Sequence, residues 1–424
     1  MHEPQRFEYF AGNSFSDLFA RDLTDQRYAF LLSYPSTAGW DPYPNTREYL
    51  IQDGSTEGSK VGYDKIRKLE PWKNLAVLGD AIPGLLTERP PPPLVSYWKE
   101  HFGFGYENAV LLSPESYCED INCNEQYDRI LTLFPYDHIL PGKHAVEPAS
   151  HYELLSKTSL ADMGVHYPLY KVFNLRYVRP EDVELHAEFP YLIKTSHGLS
   201  GEGTYIIHNE DDLNHCRREI RTYLKYKLVD AVVVSDFVQN VVGNYCVQFY
   251  VDKQANPTLV GATQQLVTPT GVHLGGLINY GDREMDKFHH KIAVISRFVH
   301  KHGYFGMLGI DILEDADGQL HVIDANIRVN GSTPLCLQRN VLRDLGKEVG
   351  KYSSDYRMDG TLDANLVLLR RYLDRKDLII LSALEKTVDA RPLCELYGIV
   401  TGENLEEMRA IESELAALGL KVAT

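Results

Sequence analysis

The sequence lacks any long apolar run, and this absence limits where the protein can work. No stretch approaches the roughly 20 apolar residues that a membrane-spanning helix requires. The most apolar segment, residues 231–234, has only the length of a strand. Residues 1–7 are polar and contain no apolar core of the kind found in secretory signals. We therefore expect a cytoplasmic protein with no membrane partner.

Paired cysteines and an excess of positive charge are also missing. The 6 cysteines are scattered and never form a Cys-x-x-Cys pair, which argues against a zinc site or a disulfide framework. Lysine and arginine number 43 against 59 acidic residues, a formal net charge of −16. Nucleic-acid binders need a basic surface for phosphates, so we expect no nucleic-acid partner. A bound nucleotide is still compatible, because a few lysines and a metal ion can hold ATP on an acidic protein.

The chain is long enough, at 424 residues, for two or three packed units. Residues 1–145 contain short apolar segments that predict an N-terminal α/β domain with strands near 28–32, 75–78 and 109–112. Four consecutive prolines at 90–93 predict a stiff, extended surface crossing within it.

Two further units are expected after residue 145. Residues 146–345 alternate predicted helices and strands, with one helix over 153–163 and a smaller lobe at about 180–238. Residues 346–424 contain a predicted helix, strand and helix, which favour a C-terminal α/β subdomain. The expected fold class is α/β (α+β).

A lysine and a glycine-rich loop follow the predicted strand 190–194. Lys194 ends this strand, and the loop contains Gly198, Gly201 and Gly203. Glycines let backbone N–H groups turn toward an anion, and the lysine adds a positive charge. The loop is neither a Walker A motif nor a Rossmann fingerprint, because no Gly-Lys-Ser/Thr follows and the next element is a strand. A simple hairpin turn is the structural alternative.

Two apolar predicted strands each deliver an aspartate, Asp311 and Asp324. Asn326 and Arg328 follow Asp324 at alternating positions, so the three side chains share one face of an extended segment. Buried charges are unfavourable unless they are paired or bound to a metal. Asp311, Asp324 and Asn326 offer the hard oxygen ligands that Mg²⁺ prefers. A salt-bridge cluster at the strand ends is the alternative.

A third segment joins an apolar strand to a polar hinge. The strand residues 232–234 run into Ser235 and Asp236, and Asn244 follows after a turn. An extended hinge can offer backbone N–H and C=O groups to an adenine edge, although a plain buried strand has the same pattern.

The order of these segments carries more information than any one of them. Along the chain come the lysine and glycine loop, the hinge, a helix and the two aspartate strands, all inside residues 157–332. In this order the sequence resembles the ATP-grasp superfamily over roughly residues 150–340. The bacterial peptide ligases of natural-product biosynthesis are the most similar members in general layout. The resemblance implies a two-lobed ATP-binding region between the N-terminal domain and the C-terminal subdomain.

The resemblance implies a role for each matching residue. Lys157 and Lys194 match two ATP-contacting lysines, and Arg328 matches an arginine directed at the reacting phosphate or acyl group. The implied metal ligands are Asp311, Asp324 and Asn326. The other implied nucleotide contacts are Ser196, Gly198, Gly201, Gly203, Ser235, Asp236, Phe237, Val238 and Asn244.

Three positions depart from the family pattern. Asn244 stands where many members have a ribose-binding acid, and Asp324 stands where glutamate is usual. Gly309 occupies a position where some relatives keep a basic residue, so another group must do that work.

The function implied is an ATP-dependent carboxylate–amine ligase that uses Mg²⁺ or Mn²⁺ and proceeds through an acyl phosphate. Its partners would be a small carboxylate, either an amino acid or a natural-product acid, and an amine, and a homodimer is compatible with the sequence. Arg283 follows a loop rich in Gly, Thr and Pro and is a candidate to meet a carboxylate, although its sequence context favours a solvated surface position. The alternatives are a carboxylate–thiol ligase, a carboxylate kinase, and a nucleotide-binding protein without catalysis.

Overall fold

The computed structural model describes residues 7–52, 60–168, 170–183, 188–198, 201–226, 228–267, 273–280 and 284–422. The described helices are α1 (Phe15–Phe19), α2 (Lys60–Asp64), α3 (Glu70–Ala76), α4 (Pro92–Phe102), α5 (Tyr117–Cys123), α6 (Pro148–Leu155), α7 (Glu210–Lys225), α8 (His289–Lys301), α9 (Thr333–Leu337), α10 (Arg339–Asp344), α11 (Leu362–Asp374) and α12 (Leu405–Ala417). None of them is long and apolar enough to cross a membrane.

The strands form three sheets. The first contains β1 (Tyr28–Leu31), β2 (Gly84–Leu86), β3 (Ala109–Leu111) and β4 (Arg129–Thr132). The second contains β5 (Tyr170–Asn174), β6 (Tyr191–Thr195), β7 (Thr204–Ile207) and β8 (Ala231–Asp236). The third contains β9 (Val241–Val251), β10 (Pro257–Val267), β11 (His273–Asn279), β12 (Gly306–Asp315), β13 (Leu320–Asn326), β14 (Val349–Asp359), β15 (Leu378–Val388), β16 (Arg391–Gly402) and β17 (Lys421–Val422).

The N-terminal sheet is parallel, in the order β3-β2-β1-β4. Both of its faces are buried, since Ala29 and Leu31 pack on one side and Phe30 on the other. Parallel sheets need cover on both faces, and this explains the continuous apolar run of β1.

Two predictions in this region were wrong. Residues 75–78 do not form a strand, because Leu75 and Ala76 end helix α3 as buried residues. A run of four apolar residues cannot distinguish a strand from a buried helix turn. The proline tetrad is not extended throughout either, since Pro92 begins helix α4, a position where its missing N–H is not needed.

The second sheet forms a small lobe with helix α7. Its order is β5-β8-β6-β7, with every pair antiparallel. Leu213, Cys216 and Ile220 line one face of α7 at helical spacing and pack on the sheet. Asn209 caps this helix by accepting from the backbone N–H groups of residues 211 and 212.

The third sheet is the largest of the three described sheets, with nine strands. Its order is β13-β12-β9-β10-β11-β14-β16-β15, with β17 beside β14, and all its pairs are antiparallel. The strands of the C-terminal region, β14 to β16, therefore continue the sheet that begins with β9. The domain limits at residues 145 and 345 stay a prediction.

The predicted helix over 153–163 is interrupted. Helix α6 ends at Leu155, Ser156 is extended, and a 3₁₀ helix runs from Lys157 to Met163. The hydroxyl of Ser156 accepts from the N–H of Thr158 and starts this second segment. The break places Lys157 at the beginning of a new helical turn.

Candidate active site

Strands β12 and β13 bring the predicted metal ligands together. Asp311 lies opposite Asp324 in the ladder, and Gly309 lies opposite Asn326. Residues paired across a ladder share a face, and Asn326 lies two residues after Asp324, so both aspartates and Asn326 point to one face of the sheet. The amide Nδ2 of Asn326 donates to Asp311 Oδ2 over 3.2 Å.

Asp311 has the least compensated charge of the group. Its Oδ1 is buried without a hydrogen-bond partner among the described residues. Burial, together with the negative charge of Asp324, raises the pKa of Asp311 from 3.8 to about 7. A carboxylate in this state is stabilised by a cation, and the set of two carboxylates and one amide oxygen fits Mg²⁺ or Mn²⁺. The amide oxygen of Asn326 also accepts from Arg328, which leaves it one free lone pair.

Two lysines approach Asp324 from other elements. The ammonium of Lys157 lies 3.2 Å from Asp324 Oδ2. Lys194, the penultimate residue of β6, donates to the backbone carbonyl of Ile323 over 3.0 Å. Burial alone would raise the pKa of Asp324, but the positive charges of Lys157 and Lys194 outweigh it and lower this pKa. The pKa of Lys194 is lowered by burial.

The glycine-rich segment forms the connection between β6 and β7. Gly203 has φ +71°, and a Cβ there would lie 2.0 Å from Thr195 Oγ1. A Cβ on Gly198 would lie 2.1 Å from the carbonyl oxygen of Glu202, and Gly201 has φ +90°. The tight turn therefore needs glycine at these positions. Ser196 donates to Asp230 over 2.9 Å, so its hydroxyl is engaged within the small lobe.

The predicted hinge lies at the exit of β8. Ser235 is buried in the strand, Asp236 is exposed, and Phe237 and Val238 are half-buried in the segment that leads to β9. Asn244 lies in β9 opposite Leu313, and its Oδ1 is buried without a partner among the described residues. The nucleotide-binding role of the hinge and of Asn244 stays a prediction.

Arg328 connects the acid pair to the N-terminal domain. Its Nη2 donates to Asn326 Oδ1 over 2.8 Å, and its Nη1 donates to the hydroxyl of Tyr34 over 3.0 Å. Only 8% of Arg328 is exposed. Tyr34 was not predicted, although its place just beyond a strand of a parallel sheet is a usual position for binding residues.

A buried polar cluster explains the glycine at position 309. A Cβ on Gly309 would lie 2.1 Å from Asn330 Nδ2 and 2.7 Å from Gln248 Nε2. Gln248 donates to Asn330 Oδ1 over 2.8 Å and accepts from Thr333 over 2.9 Å. The space of a basic side chain is thus taken by neutral amides. The sequence signal for this cluster is a glutamine inside the apolar strand β9.

The last predicted residue, Arg283, lies outside the described residues. Its role as a carboxylate contact stays a prediction.

Solved structures share this architecture over most of the chain. An L-amino acid ligase from Bacillus licheniformis aligns with a TM-score of 0.52 at 11% identity, over 94% of this chain and 99% of that chain. A carboxyaminoimidazole ribonucleotide synthase from Aspergillus clavatus complexed with ATP gives 0.53 at 11% identity, over 82% and 96%. The N5-carboxyaminoimidazole synthetase from Staphylococcus aureus gives 0.51 at 13% identity, over 82% and 94%. At these identities the likeness establishes the fold.

The sequence itself matches a family model. Residues 168–326 match the model described as L-aspartate–L-methionine ligase, ATP grasp. Over these residues the chain is of the ATP-grasp type. The match covers the small lobe and the strands of the acid pair, the part of the chain that carried the resemblance. The predicted superfamily, fold class and ligase activity are therefore confirmed for this ATP-grasp protein.

Proposed function

We propose that this ATP-grasp ligase joins the carboxylate of one amino acid to the amine of another, with conversion of ATP to ADP and phosphate. The observation that carries the proposal is the convergence of Asp311 and Asp324 with Lys157, Lys194 and Arg328 at one sheet edge. The amino-acid class is supported by the family description, L-aspartate–L-methionine ligase.

The acid pair and Asn326 are the residues that would hold Mg²⁺ or Mn²⁺. When bound, such an ion neutralises phosphate charge and orients the phosphate chain. The buried, unpartnered Oδ1 of Asp311 is the group among the described residues of this site that most needs a cation.

Lys157 and Lys194 supply the positive charge on the opposite side of the phosphates. In this structure one pairs with Asp324 and the other with the carbonyl of Ile323. Phosphate oxygens would take over these contacts, and the buried ammonium groups would then balance the charge that develops during transfer. The carboxylate oxygen attacks the γ-phosphorus, ADP leaves, and an acyl phosphate forms.

Arg328 holds the reacting acyl group in the second step. The amine attacks the acyl carbon, a proton leaves the nitrogen, and phosphate is expelled. The guanidinium is fixed by Asn326 and Tyr34, so it can stabilise the developing oxyanion without reorganising. Closure of the turn 198–203 over the site would keep water from the acyl phosphate.

ADP release measured with Mg²⁺, ATP and L-amino acids, singly and in pairs, tests the proposal. L-Aspartate and L-methionine are the first pair. The wild type is expected to release ADP only when two amino acids are present, and Lys194→Met is expected to abolish release while the melting temperature is kept. ADP release that needs only one carboxylate, or that uses a thiol in place of the amine, would contradict the amide-forming reaction.

A further inference from the structure

Two histidines meet near the turn of the β12–β13 hairpin. His321 lies near the start of β13, and His166 lies in the connection between the 3₁₀ helix Lys157–Met163 and strand β5. His166 Nε2 is 3.1 Å from His321 Nδ1. The backbone supports this approach, because the N–H of Val322 donates to the carbonyl of His166 over 2.9 Å. The fold therefore holds together two imidazoles that are 155 residues apart in the chain.

The neighbouring side chains leave a lone pair on each of these two ring nitrogens. His321 Nε2 lies 2.8 Å from Asp315 Oδ2, so the ring proton sits on Nε2 and the lone pair on Nδ1. Gln319 Nε2 lies 2.8 Å from His166 Nε2, and an amide N–H can only donate, so this nitrogen also carries its lone pair. Two lone pairs that face each other over 3.1 Å repel unless a cation, either a proton or a metal ion, lies between them.

The arrangement around the two nitrogens is that of a metal site. Zinc lies about 2.0–2.1 Å from each histidine nitrogen, which puts two such nitrogens roughly 3.3 Å apart in a tetrahedral site. A carboxylate on the far nitrogen of a ligating histidine, as Asp315 provides for His321, fixes the tautomer and the ring orientation. A half-turn of the Gln319 amide brings its oxygen toward the same point. His166 is exposed, so an ion can enter from solution.

A second cluster of possible ligands differs in its charge pairing. Glu100, His101 and Asp374 place one ligand atom each within 4.8 Å of one another. Arg370 already contacts Glu100, and its Nε lies 2.8 Å from Asp374. This cluster has a resident cation and therefore serves as the matched control.

We propose that His166 and His321 bind a transition-metal ion of the zinc class, with Gln319 as a third ligand and Asp315 as the positioning residue. Imidazole nitrogens favour zinc, whereas the oxygen ligands of the acid pair favour magnesium, so the two sites take different metals. The ion links the segment that leads into the small lobe to the hairpin that carries the acid pair. This inference does not depend on the ligase reaction.

Calorimetric titration of the tag-free, EDTA-treated and desalted protein with Zn²⁺ tests the site, with excess Mg²⁺ present to occupy the acid pair. The wild type is expected to bind Zn²⁺ and to melt at a higher temperature with it. His166→Gln and His321→Gln should each weaken binding by at least about tenfold. His101→Gln and Asp311→Asn should bind Zn²⁺ as the wild type does. Melting of each variant in EDTA checks that it is folded.

Asp315→Asn separates an oriented metal site from two adjacent surface histidines. The asparagine keeps Oδ1, which accepts from the N–H groups of Asp317 and Gln319 in the turn over 3.0 Å and 2.9 Å. Its new amide N–H faces His321 Nε2 and moves the ring proton to Nδ1, the nitrogen that would bind the metal. The affinity for Zn²⁺ should therefore fall about 10- to 100-fold.

The outcomes decide between a metal ion and a proton between the two rings. Absence of Zn²⁺ binding by the wild type, or binding that survives both histidine substitutions, overturns the site. Unchanged binding by Asp315→Asn, with loss in both histidine variants, overturns the positioning role of Asp315. Calorimetry needs no turnover, so a failure of the proposed ligase reaction leaves this result unaffected.

Discussion

The two edges of the large sheet bury charged side chains in opposite ways. At the β13 edge, Asp311 keeps a buried oxygen without a partner among the described residues, and its pKa is raised to about 7 by burial and by Asp324. At the β15 edge, Asp377 accepts from Lys347 over 2.6 Å and from Arg375 over 3.0 Å. The charge of Asp311 at the β13 edge still needs a cation, whereas the charge of Asp377 at the β15 edge is already paired with two cationic side chains. Incomplete pairing thus marks the site for chemistry, and complete pairing marks a site for stability.

The largest effect on activity is expected from a substitution of Asp311 at the β13 edge. Asp311→Asn should lower kcat/KM for ADP release by about 10³-fold, because one charged ligand is lost from the proposed metal site. The metal-free variant should nevertheless unfold at a higher denaturant concentration than the wild type, since an uncompensated buried carboxylate is removed. If Asp311→Asn lost stability as well as activity, the contrast between an unpaired Asp311 and a paired Asp377 would be wrong.

A substitution at the β15 edge should have the opposite pattern, with a loss of stability and no loss of activity. Asp377→Ala leaves Lys347 buried, with Glu407 as its nearest remaining acid at 3.8 Å. The free energy of unfolding should fall by about 3 kcal/mol, as is usual when one partner of a buried pair is removed. Denaturant unfolding measures this change. The kcat/KM at 25 °C should match the wild type, and a selective loss of activity would show that Asp377 is not purely structural.

The pH dependence sharpens the difference further. The folded-state pKa of Asp311 is about 7, above the ordinary value of 3.8, so the folded protein holds this proton more tightly. Its favourable contribution is complete below pH 3.8 and is lost as the pH rises through about 7. Without metal, the stability of the wild type relative to Asp311→Asn should therefore decline between about pH 4 and 7 and stay constant above that. Unfolding in EDTA across this range tests the trend, and a constant difference would contradict the raised pKa.

Two glycines at positive φ give a smaller, separable effect. Gly203→Ala should raise the KM for ATP about tenfold, because the new Cβ would collide with Thr195 in the turn between β6 and β7, the turn proposed to close over ATP. Gly318→Ala is the control, since φ there is +77° but a Cβ would meet nothing within 4 Å. Steady-state kinetics at varied ATP measure both. Equal effects would mean that backbone strain alone, and not the turn, controls ATP binding.

The smallest change concerns the arginine of the site. Tyr34→Phe removes one acceptor of Arg328 and leaves its contact with Asn326 intact. The kcat should fall about threefold to tenfold, the usual range for one hydrogen bond, with no change in the KM for ATP. A larger loss would show that Tyr34 also touches the substrate.

Much of the candidate site was accessible from the sequence because its parts are local. Asp311 and Asp324 lie opposite each other because a short turn joins the adjacent strands β12 and β13. Both strands were predicted, so the proximity of the two aspartates could be predicted as well. Lys194 and the glycines 198, 201 and 203 lie in one hairpin. The pattern of neighbouring residues was enough to place these groups near one another, and their chemical roles remain predictions.

The contacts that could not be predicted join distant parts of the chain. Tyr34 meets Arg328 across 294 residues, and Lys73 faces tyrosines of two strands that the sequence analysis missed, β14 and β16. Residues 75–78 were assigned to a strand because four apolar residues look alike in a strand and in a buried turn of helix.

The sequence by itself determined the superfamily, the order of the strands and helices around the site, and the residue types that meet there. Those features depend on periodicity and on spacing over a few tens of residues. Only the tertiary structure decided which charges are left without partners among the described residues, as in Asp311, and which are satisfied, as in Asp377. Burial and the position of opposite charges set these states, and both arise when segments far apart in the chain pack together.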